Sequence, residues 1–178
     1  MNSRVKLFGH PLHPMLIVYP LGLLSVAVIF DLIFMGTKNT TFPIVSYWMI
    51  TAGLIGGLLA ALVGFTEWLA IPNDSRAKTI GLYHRLGNLV IVLLFAGSWW
   101  LRTGDPNHVP STVAFTLSLL GFGLALVTGW LGGELVYRLG VGVDHGANVN
   151  APNSLTDKEA STNTGGGTPK HAGRTTTR

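Results

Sequence analysis

Cysteine is missing from the 178-residue sequence. Its absence removes disulfides, thiolate metal sites, Cys-ligated iron–sulfur clusters and cysteine nucleophiles from this chain's chemistry. Charge is scarce as well: only 11% of residues are Asp, Glu, Lys or Arg, against about 25% in an ordinary soluble domain. The net charge of +4 is no nucleic-acid footprint, because the basic residues flank apolar segments or lie near the C-terminus and form no dense stripe. No Ser-His-Asp or nucleophile-elbow pattern occurs, so hydrolase chemistry has the least support and the sequence assigns no enzymatic activity.

What remains is apolar. With 48% hydrophobic residues and a mean hydropathy of +0.43 despite a polar C-terminal stretch, lipid is the solvent expected for most of the chain. Met15 to Met35 has Asp31 as its only charge and is long enough to cross a bilayer. It is also longer than the apolar part of a signal peptide and no small-x-small cleavage site follows, so it reads as a retained first span. Further spans are expected at about Ser46–Leu69, Gly81–Leu101 and Val113–Tyr137. Gly53, Gly57 and Ala61 form one four-spaced row of small residues. Gly56, Ala60 and Gly64 form a second, and Gly121, Ala125, Gly129 and Gly133 a third. Such rows allow close helix contact in lipid, and one left exposed would let the chain pair as a homodimer.

The fold class expected is all-α: a transmembrane four-helix up-down bundle over residues 1–147, followed by a disordered polar tail over 148–178. No long tandem repeat is evident. Arg4, Lys6, Arg76, Lys78, Arg85 and Arg138 fall at one end of the spans and only Lys38 and Arg102 at the other. That bias predicts a multi-pass protein of the bacterial inner membrane with both termini cytoplasmic.

The same topology gathers the costly side chains. Odd helices begin and even helices end on one side, so His10, His13, Glu67, His84 and Glu134 all belong to the cytoplasmic end. An ionisable group at mid-membrane costs about 2.5–3.5 kcal/mol on insertion scales, and less near an end. Bundles build metal sites from inward-facing Glu and His, and imidazole with carboxylate suits a divalent metal such as zinc or iron. Haem b would take one or two of His10, His13 and His84 as axial ligands. His10 and His13 each precede a proline, which favours an extended or polyproline course. Three such residues advance about 9 Å, so one of the two is expected as a direct ligand and the other behind it.

Each residue also has a plainer reading. His10 and His13 would be interfacial residues at a helix start, and His84 beside Arg85 a contact to lipid phosphate. Glu67 would pair with Arg76 or Lys78, and Glu134 with Arg138. Asp31, near the outer end of its span, reads as a snorkelling or capping residue.

Gly9-His10-Pro11-Leu12-His13-Pro14, Phe65-Thr66-Glu67-Trp68, Gly81-Leu82-Tyr83-His84 with Asn88, and the stretch from Gly132 through Glu134 to His145 resemble the bacterial membrane proteins grouped as domain of unknown function 2231. The resemblance covers about residues 8 to 146 and implies a four-span inner-membrane domain. Some relatives carry a fused Rieske-type iron–sulfur domain, which implies a link to electron transfer; that module is missing here, as is the cysteine it needs. Relatives often have His at the position of Glu134, which argues against a bis-histidine haem using that position in this chain. The shared stretch adds His145 as a further candidate ligand.

Two functional expectations follow. One is membrane redox or electron transfer by a bound metal or haem, with a redox partner protein in the bilayer. The other is a structural or partner-binding membrane subunit without a cofactor.

Overall fold

The computed structural model describes residues 2–155. The first helix, α1, spans Leu12–Thr37; α2 spans Thr41–Ala70, α3 Arg76–Arg102 and α4 Thr112–Gly133. α4 continues into one wider, π-helical turn, Glu134–Arg138. All four helices are long and apolar enough to cross a membrane. α2, with 30 residues, measures about 45 Å, against a hydrocarbon core of about 30 Å, so its ends stand in the headgroup zones. Exposed Leu58, Leu62, Leu93 and Leu126 face outward, as lipid permits and water would not. Residues 148–155 run through turns and extended chain, and the rest of the expected tail lies outside the described residues.

Local chemistry sets the helix ends. The Ser75 and Ser111 side chains accept from the backbone N–H of Lys78 and Ala114, satisfying first-turn donors of α3 and α4. Lys38 closes α1 in the left-handed conformation, its N–H bonded to Phe34 O at 2.8 Å. Before α1, β1 (Lys6–Leu7) pairs antiparallel with β2 (His10–Pro11). The turn between them has positive φ at both Phe8 and Gly9, the signature of a two-residue type I′ hairpin.

The core at mid-bundle comprises Leu24, Ala27, Val28, Ile50, Ile91 and Phe95. All three rows of small residues have a member where helices approach closely. A Cβ on Gly53 would meet Leu24, one on Gly56 would meet Tyr19 and Pro20, and one on Gly121 would meet Phe95. Gly129 has nothing nearby.

A two-fold internal repeat emerges from these contacts, correcting the expectation of none. His13, Leu24, Ala27 and Asp31 on α1 are matched, at one constant spacing, by His84, Phe95, Ser98 and Arg102 on α3. Ser46, Ile50, Gly53, Ala60 and Gly64 on α2 are matched at another constant spacing by Ala114, Ser118, Gly121, Thr128 and Gly132 on α4. The contacts repeat with the positions: Gly53 lies under Leu24 as Gly121 lies under Phe95, and Gly64 under His13 as Gly132 under His84. The hairpins α1–α2 and α3–α4 are therefore two copies of one unit. They run the same way through the bilayer, the arrangement of parallel transporter repeats about an axis along the membrane normal.

The two copies are joined by an ion pair. Arg102 grips Asp31 with both terminal nitrogens, Nη1 to Oδ1 at 2.8 Å and Nη2 to Oδ2 at 2.6 Å. Ser46, Ser98 and Ser118 surround the guanidinium at 3.1–3.2 Å, and all five residues are 0% exposed. Every helix contributes to this cluster. Asp31 is thus no snorkelling or capping residue: it sits on the inner face of α1, where only a charge-assisted partner makes its ionised form tolerable.

Candidate histidine site at the terminal end of the bundle

His13 belongs to the first turn of α1, not to a polyproline run ahead of it. The helix already begins at Leu12, because Pro14 occupies a first-turn position whose N–H is not needed. Leu12 N donates to Val5 O at 3.0 Å and ties this helix start to the N-terminal segment. His10, by contrast, is exposed on β2, with its Nε2 3.1 Å from Ser154 Oγ.

His13 Nδ1 lies 3.0 Å from Ala60 O on α2. His84 Nδ1 lies 2.8 Å from Thr128 O on α4. A carbonyl oxygen can only accept, so in both rings Nδ1 carries the proton and donates it. The Nε2 of each neutral ring is left with its lone pair. Gly64 and Gly132 make room for these rings: a Cβ at Gly64 would stand 2.8 Å from His13 Cε1, and one at Gly132 3.2 Å from His84 Cε1. The two imidazoles are equivalent members of the repeat.

The copies differ at Asn88. Its Nδ2 donates to His84 Nε2 at 3.1 Å and to His84 O at 2.8 Å. Its Oδ1 accepts from Thr128 Oγ1 at 3.4 Å. The matching position on α1 is Ile17, so nothing equivalent reaches His13.

The carboxylates face other partners. Glu67 is buried, with Oε1 accepting from Ser3 Oγ and from Val5 N at 2.9 Å and Oε2 from Arg4 N at 3.2 Å. It anchors the N-terminal segment, not Arg76 or Lys78. Glu134 accepts from Arg76 at 2.7 Å, and not from Arg138 four residues on. His145 is exposed in the segment after the π-helical turn, which Lys6 ties back to the N-terminal ribbon through Asp144 at 2.9 Å. Among the described residues no three His, Asp or Glu side chains converge as a metal-ion site would require.

The structure therefore turns His13 and His84 inward on matching interhelical bonds, while Glu67 is taken up by residues 3–5. His10, Glu134 and His145 have their own surroundings. Sequence reasoning missed the contacts of Ala60, Gly64, Thr128 and Gly132, although the equal spacing of Gly64 and Gly132 from Ala60 and Thr128 was there to be read.

A family described as predicted membrane protein (DUF2231) matches residues 9–145. No curated protein and no solved structure matches the chain.

Proposed function

The chain belongs to the predicted membrane protein family DUF2231, and on that premise we propose that it carries electrons in the membrane through a haem b held by His13 and His84. The observation that carries this reading is the matched pair of Nδ1–H bonds to Ala60 O and Thr128 O. A ligating histidine characteristically donates its other ring N–H to a carbonyl or carboxylate, which fixes the ring and raises the basicity of the free nitrogen. Haem needs only two protein donors, whereas a structural zinc ion needs four and a catalytic one three. With two matched imidazoles and no converging third ligand, haem fits the donor set better than a bare divalent ion does.

Within the chain, His13 and His84 would hold the group from α1 and α3, and the bound group would supply one-electron chemistry. Asn88 is the competitor, since it donates to the lone pair an iron would take at His84. Glu67 fastens residues 3–5 over this end of the bundle. Both termini lie on the cytoplasmic side in this reading, as the bias of Lys and Arg supports, and the electron partner is a membrane or peripheral redox protein.

The test is an absorbance spectrum of detergent-purified protein made with ample haem. A Soret band that is absent from both His13→Ala and His84→Ala, and retained in His10→Ala and His145→Ala, supports the reading. Folded wild-type protein with no Soret band refutes it.

One observation favours a structural subunit instead: every buried side-chain nitrogen and oxygen among the described residues already has a partner. On that reading the histidines are interhelical staples. His84→Ala would then lower the unfolding temperature with no change in any spectrum.

A further inference from the structure

We propose that Arg85, Lys78 and Trp68 form a headgroup site for an anionic phospholipid. His84 and Arg85 are neighbours on α3 but point apart: His84 turns inward to Thr128 O on α4, while Arg85 lies over the aromatic rings of α2. The Arg85 guanidinium carbon is 3.9 Å from the Trp68 ring centroid and 5.3 Å from that of Phe65. Phe65 and Trp68 are themselves stacked, with centroids 6.3 Å apart. Lys78, two helical turns before Arg85, places its Nζ 3.8 Å from the same Trp68 ring. Two positive centres therefore share one indole.

Neither cation meets a carboxylate among the described residues, where the ion pairs are Lys6–Asp144, Arg76–Glu134 and Arg102–Asp31. Asp74, the nearest acid in sequence, belongs to none of these pairs, and Glu67, beside Trp68, is turned to Ser3, Arg4 and Val5. Two like charges held against one indole with no carboxylate paired to either repel each other, and that repulsion is strongest where the local dielectric is low. A bound anion removes it.

The donors are also held ready. Lys78 Nζ donates to Trp68 O at 2.9 Å and Ile71 O at 3.3 Å, capping the end of α2 and leaving one of its three N–H groups. Trp68 Nε1 donates to Lys78 O at 3.2 Å, which locks the indole. Stacking fixes the plane of the Arg85 guanidinium while leaving its N–H edges free for the paired contacts a phosphate takes. Deeper along the same helices, Leu62 and Phe65 on α2 and Leu86 and Leu89 on α3 are exposed apolar side chains. A ligand that meets cations at the headgroup level and apolar side chains below it is amphipathic. That combination separates a phospholipid from a free phosphate.

Native mass spectrometry of the full detergent-solubilised chain tests this with three probes: phosphatidylglycerol, phosphatidylcholine and inorganic phosphate. Wild-type protein should bind phosphatidylglycerol in preference to phosphatidylcholine. Arg85→Gln and Lys78→Gln should each weaken that binding about fivefold, from about 1 kcal/mol per cation at an anionic surface. Arg85→Lys should fall between, since it keeps charge and loses the planar fork. Arg138→Gln, an exposed cation at the same end, should bind as wild type does, and unfolding midpoints verify that each variant is folded. Equal weakening in Arg138→Gln, or no preference for the anionic lipid, overturns the proposal. Inorganic phosphate binding as tightly as phosphatidylglycerol overturns the lipid and assigns a soluble anion. The outcome is independent of whether haem is bound, because neither cation touches His13 or His84.

Discussion

Removing Asp31 is the perturbation whose size the structure bounds best. Asp31→Ala leaves Arg102, which is 0% exposed, with three serine hydroxyls and no counter-charge. Breaking a buried pair by deleting one partner costs about 3–5 kcal/mol, because the surviving charge stays desolvated. For a domain of this size, each kcal/mol lowers the unfolding midpoint by about 2–4 °C, so the loss should be at least 6 °C. Arg102→Met should lose a similar amount by stranding Asp31. The double variant Asp31→Leu/Arg102→Met removes both charges together and should lose less than either single change, since apolar replacement of a whole buried pair is often close to neutral. Thermal unfolding in detergent, run as a double-mutant cycle, reads the coupling directly. Singles that each lose under about 1 kcal/mol, or a double variant that loses the sum of the two, would refute the pairing as the tie between the hairpins.

Four further outcomes follow from other contacts. Gly64→Ala should destabilise by about 1–3 kcal/mol, as overpacking does, and Gly132→Ala by less, because the His84 ring stands farther off than His13 does; unfolding midpoints of the two variants show the order. Asn88→Ala frees His84 Nε2 from its donor and should raise haem occupancy at limiting haem, measured as Soret absorbance per chain; a lower occupancy would make Asn88 part of the binding set. Arg76→Ala should change stability by no more than about 1 kcal/mol, since the Arg76 side chain is 60% exposed. Glu67→Ala should instead release the N-terminal segment, seen as faster hydrogen exchange at Arg4 and Val5.

The four crossings were legible because long apolar runs with polar breaks admit one reading. The order of the helices was legible with them, and it sets His13 at the start of α1, Glu67 near the end of α2 and His84 near the start of α3. The partner of Asp31 was hidden by its position. Arg102 follows Trp99 and Trp100, where a cation ordinarily marks the membrane surface, and only packing turns it inward. The repeat was hidden for a chemical reason. Equivalent positions hold Asp and Arg, Leu and Phe, or Ala and Ser, so the copies share histidines and glycines but little else. Their likeness lies in contacts, which a residue-by-residue comparison does not register. Glu67 was read toward nearby Arg76 and Lys78, yet its carboxylate is taken by backbone N–H groups from the opposite end of the sequence. Covalent neighbours compete poorly with a segment that supplies several aligned donors at once.

The most direct measurement is haem per chain in detergent-purified protein, by the pyridine adduct spectrum, alongside the reduced-minus-oxidised difference spectrum of the intact protein. The histidine pair predicts one haem b per chain with a sharp low-spin α-band, abolished in His13→Ala and in His84→Ala. Folded protein that purifies with no haem and takes up none when haem is supplied would contradict it.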